Sequence, residues 1–122
     1  MVKDYKPHHA AFMYYNSTTN PHHLQPISIA MTGKTDQANH QYDLSDFWNA
    51  AQNGNLPAVS FLKALKSQNV HPGYSDPSDE QNFLVNTITN LQKLPEWNNT
   101  AIVIAYDDSD GWYDHAMPPI VS

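Results

Sequence analysis

Two adjacent carboxylates, Asp107 and Asp108, follow an apolar run at residues 101–105. Such a run, rich in β-branched residues, is typical of a buried strand in a parallel sheet. Ligands of open α/β sheets bind just outside the carboxyl ends of the strands, which is where these carboxylates would lie. Hard oxygen ligands there, with imidazoles nearby, suit a divalent metal that acts on phosphate. We therefore predict a metal site at Asp107 and Asp108; the alternative is a solvated acidic turn.

Histidine is the second informative residue type, because the seven histidines outnumber the six Lys and Arg residues. Histidine is the commonest metal ligand and the natural acid or base near neutral pH. His71 stands before a Pro-Gly-Tyr turn signal. A strand–helix–strand connection would bring its loop to the sheet edge that carries Asp107. We predict that His71 takes part in the chemistry; the alternative is a polar loop residue.

Five further histidines precede that loop: His8, His9, His22, His23 and His40. The first four form two adjacent pairs. Neighbouring side chains diverge in an extended backbone, so at most one of each pair would face a shared site. We assign His40 a structural role as a hydrogen-bonding residue. The sequence contains no His-Glu-x-x-His motif, zinc-finger spacing, glycine-rich phosphate loop or nucleophile elbow.

The elements that must position these side chains form a predicted strand–helix–strand unit. Strands are expected at residues 58–62 and 101–105, with a helix at residues 78–94 between them. Asp76 as N-cap and Pro77 at the first helical position mark the start of that helix. This order of elements predicts a right-handed crossover that joins a parallel pair of strands. The predicted fold class is α/β.

The chain has 122 residues, enough for one small domain. Residues 1–42 are irregular and rich in histidine and aromatic residues, and residues 43–122 make up the predicted α/β part. That part begins with a helix expected at residues 44–53, which Gly54 would end.

The charge and composition exclude several function classes. A net charge of −6 with only six basic residues argues against a general surface for nucleic acid or anionic membranes. The absence of cysteine excludes disulfides and thiolate metal sites. The first residues lack the apolar region of a signal peptide, and no apolar run is long enough to span a membrane.

Longer motifs point to one family. They are His71-Pro-Gly-Tyr-Ser-Asp-Pro, Pro95-Glu-Trp-Asn-Asn-Thr-Ala and Tyr106-Asp-Asp-Ser-Asp-Gly-Trp-Tyr-Asp-His115. Together they resemble the bacterial phosphoesterase family, which includes non-specific phospholipases C and related acid phosphatases. Residues 7–15, 20–23 and 35–45 look like the acid-phosphatase branch, so the resemblance covers essentially the whole chain.

The resemblance implies an alkaline-phosphatase-like α/β/α sandwich that hydrolyses phosphate mono- or diesters, phospholipids among them. The reaction would use a phosphorylated Ser or Thr and a divalent metal of unknown identity. The implied roles follow position by position: metal ligation by Asp107 and Asp108, phosphate contact or leaving-group protonation by His71, phosphate contact by His9, and loop support by His115 and Asp114.

The chain also departs from the family pattern. It has no Glu-Asn dipeptide, which supplies the family's other metal ligands, and no identifiable nucleophile. The sequence therefore predicts an incomplete phosphoesterase domain, inactive alone, whose remaining partner is the rest of a parent polypeptide. The resemblance places that parent in the periplasm or outside the cell. The alternative function is a non-catalytic, His- and Asp-rich domain that binds a metal or a partner.

Overall fold

The computed structural model describes residues 4, 6, 9–32, 42–107, 116 and 119–120. In this part of the chain the regular elements are two α-helices, α1 (Leu44–Gln52) and α2 (Pro77–Leu91). Four short 3-10 helices accompany them: Ala11–Tyr14, Ile29–Met31, Lys66–Gln68 and Pro95–Asn99. Helix α1 packs on Ile29–Met31 and α2 packs on Lys66–Gln68.

Helix α1 forms where the sequence predicts a helix. Asp43 is its N-cap residue, with extended backbone angles. Its last turn closes on Gly54, whose φ of 63° is in the left-handed region that glycine adopts without a Cβ penalty. The N–H of Gly54 donates to the Ala51 carbonyl at 3.2 Å. Ala51 and its neighbour Ala50 are buried, and with Leu91 they are the buried apolar residues of the described part of the chain.

Helix α2 also forms as predicted but ends three residues early, at Leu91 instead of residue 94. Asp79 accepts a hydrogen bond from the backbone N–H of Asp76 at 3.2 Å, which satisfies a donor at the helix start. The early end follows from Pro95, because a proline disfavours helical angles in the residue before it. Leu94 accordingly has an extended backbone, with ψ of 148°.

The prediction of two parallel strands is wrong for the described residues, which contain no β-strand. Residues 58–62 and 101–105 have no regular secondary structure, and their side chains are largely exposed: 73% for Phe61 and 88% for Val103. A strand exists only when its N–H and C=O groups pair with a neighbouring strand. The apolar composition of both runs supplies the strand preference but not the pairing partner.

Little apolar surface is buried in the described residues. The buried apolar side chains are Ala50, Ala51 and Leu91. Many large apolar side chains face solvent instead, including Val59, Ile104 and Ile120. None of the described helices is both long and apolar enough to cross a membrane.

Asp46, in the first turn of α1, is the buried carboxylate of this region. Burial raises the pKa of the Asp46 carboxyl, and the nearby Asp43 carboxylate adds to this, while a backbone hydrogen bond from Asp43 lowers it. The folded state then binds this proton more tightly than the unfolded state, whose aspartates have a pKa of about 3.9. The contribution of Asp46 to stability is therefore greatest below that pH and declines as the pH rises through the raised folded pKa.

We expect Asp46→Asn to remove this decline, because the amide has no charge to desolvate and keeps an acceptor oxygen for the Asp43 N–H. Urea unfolding at several pH values from about 3 to 7 measures the difference in unfolding free energy between the two proteins. That difference should shift in favour of the variant as the pH rises. A difference that is independent of pH would contradict the prediction.

Candidate functional site

His71 opens a tight turn that leads into α2. The N–H of Tyr74 donates to the His71 carbonyl at 3.4 Å, and Gly73 has a φ of 87°. Proline followed by a glycine of positive φ is the pattern of a type II turn. Val70, directly before His71, also has a positive φ of 57°, an uncommon conformation for a β-branched residue. The backbone N–H of Val70 donates to Ser75 Oγ at 3.0 Å, and this hydrogen bond joins the two ends of the turn.

The imidazole of His71 is exposed and held on two sides. Nδ1 lies 2.8 Å from the Pro72 carbonyl oxygen, which can only accept, so Nδ1 carries the proton. The ring stacks on that of Tyr74, with the centroids 4.3 Å apart and the planes inclined by 17°. With Nδ1 engaged in this way, Nε2 is the ring nitrogen that could take or give a proton.

Two lysines converge on the same tyrosine. Lys66 Nζ lies 4.4 Å and Lys6 Nζ lies 5.1 Å from the centroid of the Tyr74 ring. The N–H of Lys66 donates to the carbonyl of Asp4 at 2.9 Å, which holds the N-terminal segment against this part of the chain. Sequence reasoning missed Lys6, Lys66 and Tyr74 as a group, because no local spacing relates residues 60 positions apart.

Asp107 is exposed, and its Oδ2 atom lies 3.7 Å from Lys63 Nζ. A hydrogen bond with Glu80 raises the pKa of the neighbouring Tyr106 hydroxyl, and burial and the Glu80 charge act in the same direction. Glu80 belongs to the first turn of α2. Tyr106, the residue before Asp107, is therefore near the first turn of α2, which follows the His71 turn; no sequence pattern indicates this proximity.

The predicted metal ligands stay a prediction. Asp108 lies outside the described residues, as do Asp114 and His115. Among the residues that are described, no three His, Asp or Glu side chains are grouped closely enough to hold a metal ion. Asp107 is thus the one member of the predicted metal pair whose surroundings are described.

The other histidines occupy different places. His9 is half-buried, and its backbone N–H donates to the carbonyl of Lys6 at 3.0 Å. His9 therefore lies in the same short segment as Lys6, one of the two lysines near Tyr74. His23 Nδ1 lies 3.2 Å from the carboxylate of Asp43, the N-cap residue of α1. His8 and His40 are outside the described residues. The predicted phosphate contact by His9 stays a prediction.

The sequence comparisons decide the family. Residues 3–122 match the phosphoesterase family. The chain belongs to the phosphoesterase family. This confirms the resemblance found in the sequence motifs, which likewise covers nearly the whole chain.

Curated relatives of this chain come from plants as well as bacteria. Non-specific phospholipase C6 of Arabidopsis thaliana is 36% identical over 89 residues, which are 67% of this chain and 17% of the relative. Non-hemolytic phospholipase C of Pseudomonas aeruginosa is 35% identical over 65 residues, 52% of this chain and 9% of the relative. Non-hemolytic phospholipase C of Burkholderia pseudomallei is 36% identical over 70 residues, which are 56% of this chain and 10% of the relative. The matched region of these relatives is less than a fifth of their length.

Proposed function

We propose that this chain is part of a phosphoric ester hydrolase of the phospholipase C type. The observation that carries the proposal is the placement of two family motifs at one end of α2: the His71 turn leads into its first turn, and Glu80 of that turn raises the pKa of the Tyr106 hydroxyl, beside Asp107. The phospholipase C names of the relatives support a phosphate ester or phospholipid as the substrate. The α/β/α sandwich of the parent enzyme belongs to the same proposal.

The carboxylate of Asp107 fits the expected divalent metal. It is exposed, and its contact with Lys63 at 3.7 Å is a loose surface ion pair that a cation can replace at little cost. Asp107, with Asp108, would hold the metal, and a divalent ion bound there would polarise the phosphoryl oxygens. The other ligands and the Ser or Thr nucleophile would come from the rest of the polypeptide, since the 122-residue sequence contains no Glu-Asn dipeptide.

His71 is the proposed proton donor to the leaving oxygen. Its Nδ1 proton is engaged with the Pro72 carbonyl, so a second proton on Nε2 makes the ring a cationic acid that can transfer this proton outward. The stacked Tyr74 ring and the closed turn hold the imidazole in one orientation. Orientation of this kind reduces the reorganisation needed during proton transfer.

The test is hydrolysis by the complete polypeptide that carries this sequence. We expect it to cleave p-nitrophenyl phosphorylcholine or p-nitrophenyl phosphate, to lose this activity in EDTA, and to regain it when a divalent metal is added back. A folded protein that hydrolyses neither ester in the presence of Zn²⁺, Mn²⁺, Mg²⁺ or Ca²⁺ would overturn the proposal.

A further inference from the structure

A cluster of cationic and ionisable groups surrounds one aromatic ring beside the proposed acid. Lys6 and Lys66, two of only six basic residues in a chain of net charge −6, both lie over Tyr74, and His71 stacks on that ring. We infer that Lys6, Lys66 and His71 form a binding subsite for one phosphate group, with Tyr74 as its platform. The inference takes its ligand class, a phosphate ester, from the proposed function.

The electrostatics of the cluster favour an anion. Both ammonium groups lie within 5.1 Å of a single ring centroid, so the two like charges are less than one Debye length (~10 Å) apart and repel. Within the described part of the chain neither lysine forms an ion pair. A cation–π contact at an exposed site contributes only about 0.5–1 kcal/mol and does not neutralise the charge. A bound anion would offset the repulsion and give each ammonium a hydrogen-bond acceptor.

The geometry suits a single phosphate better than a polyanion. Lysine binds phosphate as a point charge on a flexible stem, so two lysines that approach from different segments can adapt to one tetrahedral group. A nucleic acid or an anionic membrane requires an extended basic surface, which the net charge of −6 opposes. His71 stacks on the same Tyr74 ring that both lysines approach, so all three ionisable side chains share one aromatic contact.

The backbone supports the same assignment. The Lys66 N–H bond to the Asp4 carbonyl, at 2.9 Å, joins the segments that carry the two lysines. The His71 turn then depends on Val70 and Gly73, which both have positive φ, to bring the Tyr74 ring under His71. Strained non-glycine backbone of this kind concentrates at functional sites. The cluster is therefore assembled by three separate backbone features.

The test is titration of the complete polypeptide that carries this sequence with inorganic phosphate, followed by calorimetry. Lys66→Met removes the charge and keeps the alkyl stem, and we expect it to weaken phosphate binding about tenfold, as for a lost hydrogen bond to a charged group. Lys6→Met should weaken it as well, and Lys66→Arg should restore most of the affinity. Tyr74→Leu, which removes the platform, should also weaken binding.

Lys93→Met is the matched control, because it makes the same change in net charge at the far end of α2, where Lys93 Nζ bonds to Asn90 Oδ1 at 3.1 Å. We expect it to change phosphate affinity by less than about twofold, since distant surface charges are screened. Equal affinities in the Lys66→Met and Lys93→Met proteins would overturn the subsite, as would an absence of phosphate binding to the complete unsubstituted polypeptide.

Kinetics of the complete enzyme separate this inference from the proposed function. Lys66→Met should raise KM and leave kcat nearly unchanged, because the subsite binds the phosphate before and during the reaction alike. An unchanged KM in an active enzyme would overturn the subsite alone. If the enzyme hydrolysed no ester while Lys66→Met still weakened phosphate binding, the proposed function would fail and the subsite would stand.

Discussion

Replacing Asp107 by Asn in the complete polypeptide that carries this sequence is expected to lower metal-dependent ester hydrolysis by more than about 100-fold. Loss of an outer-shell partner of a metal ligand already costs about 10–100-fold, and Asp107 is proposed as a ligand itself. The amide has nearly the same shape but lacks the charge that binds the metal. The measurement is kcat/KM at several metal concentrations, with part of the activity recovered at the highest.

Two control substitutions separate loss of the metal from other effects of Asp107→Asn. Lys63→Met removes the same ion pair, whose contact is 3.7 Å long and exposed, so its loss should cost at most about 1 kcal/mol of stability and leave kcat within about twofold. Asp43→Asn neutralises another exposed carboxylate while keeping a good N-cap residue for α1. Near-normal turnover of Asp107→Asn would exclude Asp107 as a metal ligand.

Replacing His71 by Asn is expected to lower kcat by about 10²–10⁴, the usual contribution of a positioned acid or base. Asn can still donate to the Pro72 carbonyl, and the Pro72–Gly73 turn does not depend on the imidazole, so the local backbone should persist. The limb of the pH–rate profile that reports the acid should disappear with the substitution.

The leaving group makes the His71 experiment specific. p-Nitrophenolate leaves without much help from an acid, whereas an alkoxide must be protonated. The loss of kcat should therefore be at least about tenfold larger for an alkyl ester than for the p-nitrophenyl ester. Tyr74→Phe keeps the stacked ring and serves as the control, with kcat expected within about twofold of the unsubstituted enzyme. Equal losses for the two leaving groups would show that His71 does not protonate the leaving oxygen.

The accuracy of the helix predictions and the failure of the strand predictions have one physical cause. Asp76, Pro77 and Gly54 act on backbone groups within one helical turn, so short stretches of sequence contain the information that places both helices. The early end of α2 also has a local cause, because Pro95 disfavours helical backbone angles in Leu94. A strand depends on a partner that is distant in sequence, and residues 101–105 contain nothing that specifies one.

The candidate site likewise has some features that the sequence predicts and others that only the structure shows. The turn after His71 and the family to which its motif belongs are readable from the sequence, because both rest on contiguous residues such as Pro72 and Gly73. The orientation of the His71 ring is not readable, since it depends on a stacking contact and on the closure of the turn by Ser75. The effect of Glu80 on the pKa of Tyr106 likewise depends on two segments that are distant in sequence.

The sequence by itself therefore determined the phosphoesterase family, the two helices and the identity of the candidate acid and metal ligand, because these depend on local motifs and caps. The tertiary structure alone decided that Lys6 and Lys66 meet at Tyr74, and that the apolar runs remain unpaired in the described residues. Contacts between distant segments depend on loop closure and on which surfaces are available for burial. Neither quantity can be read from residue spacing.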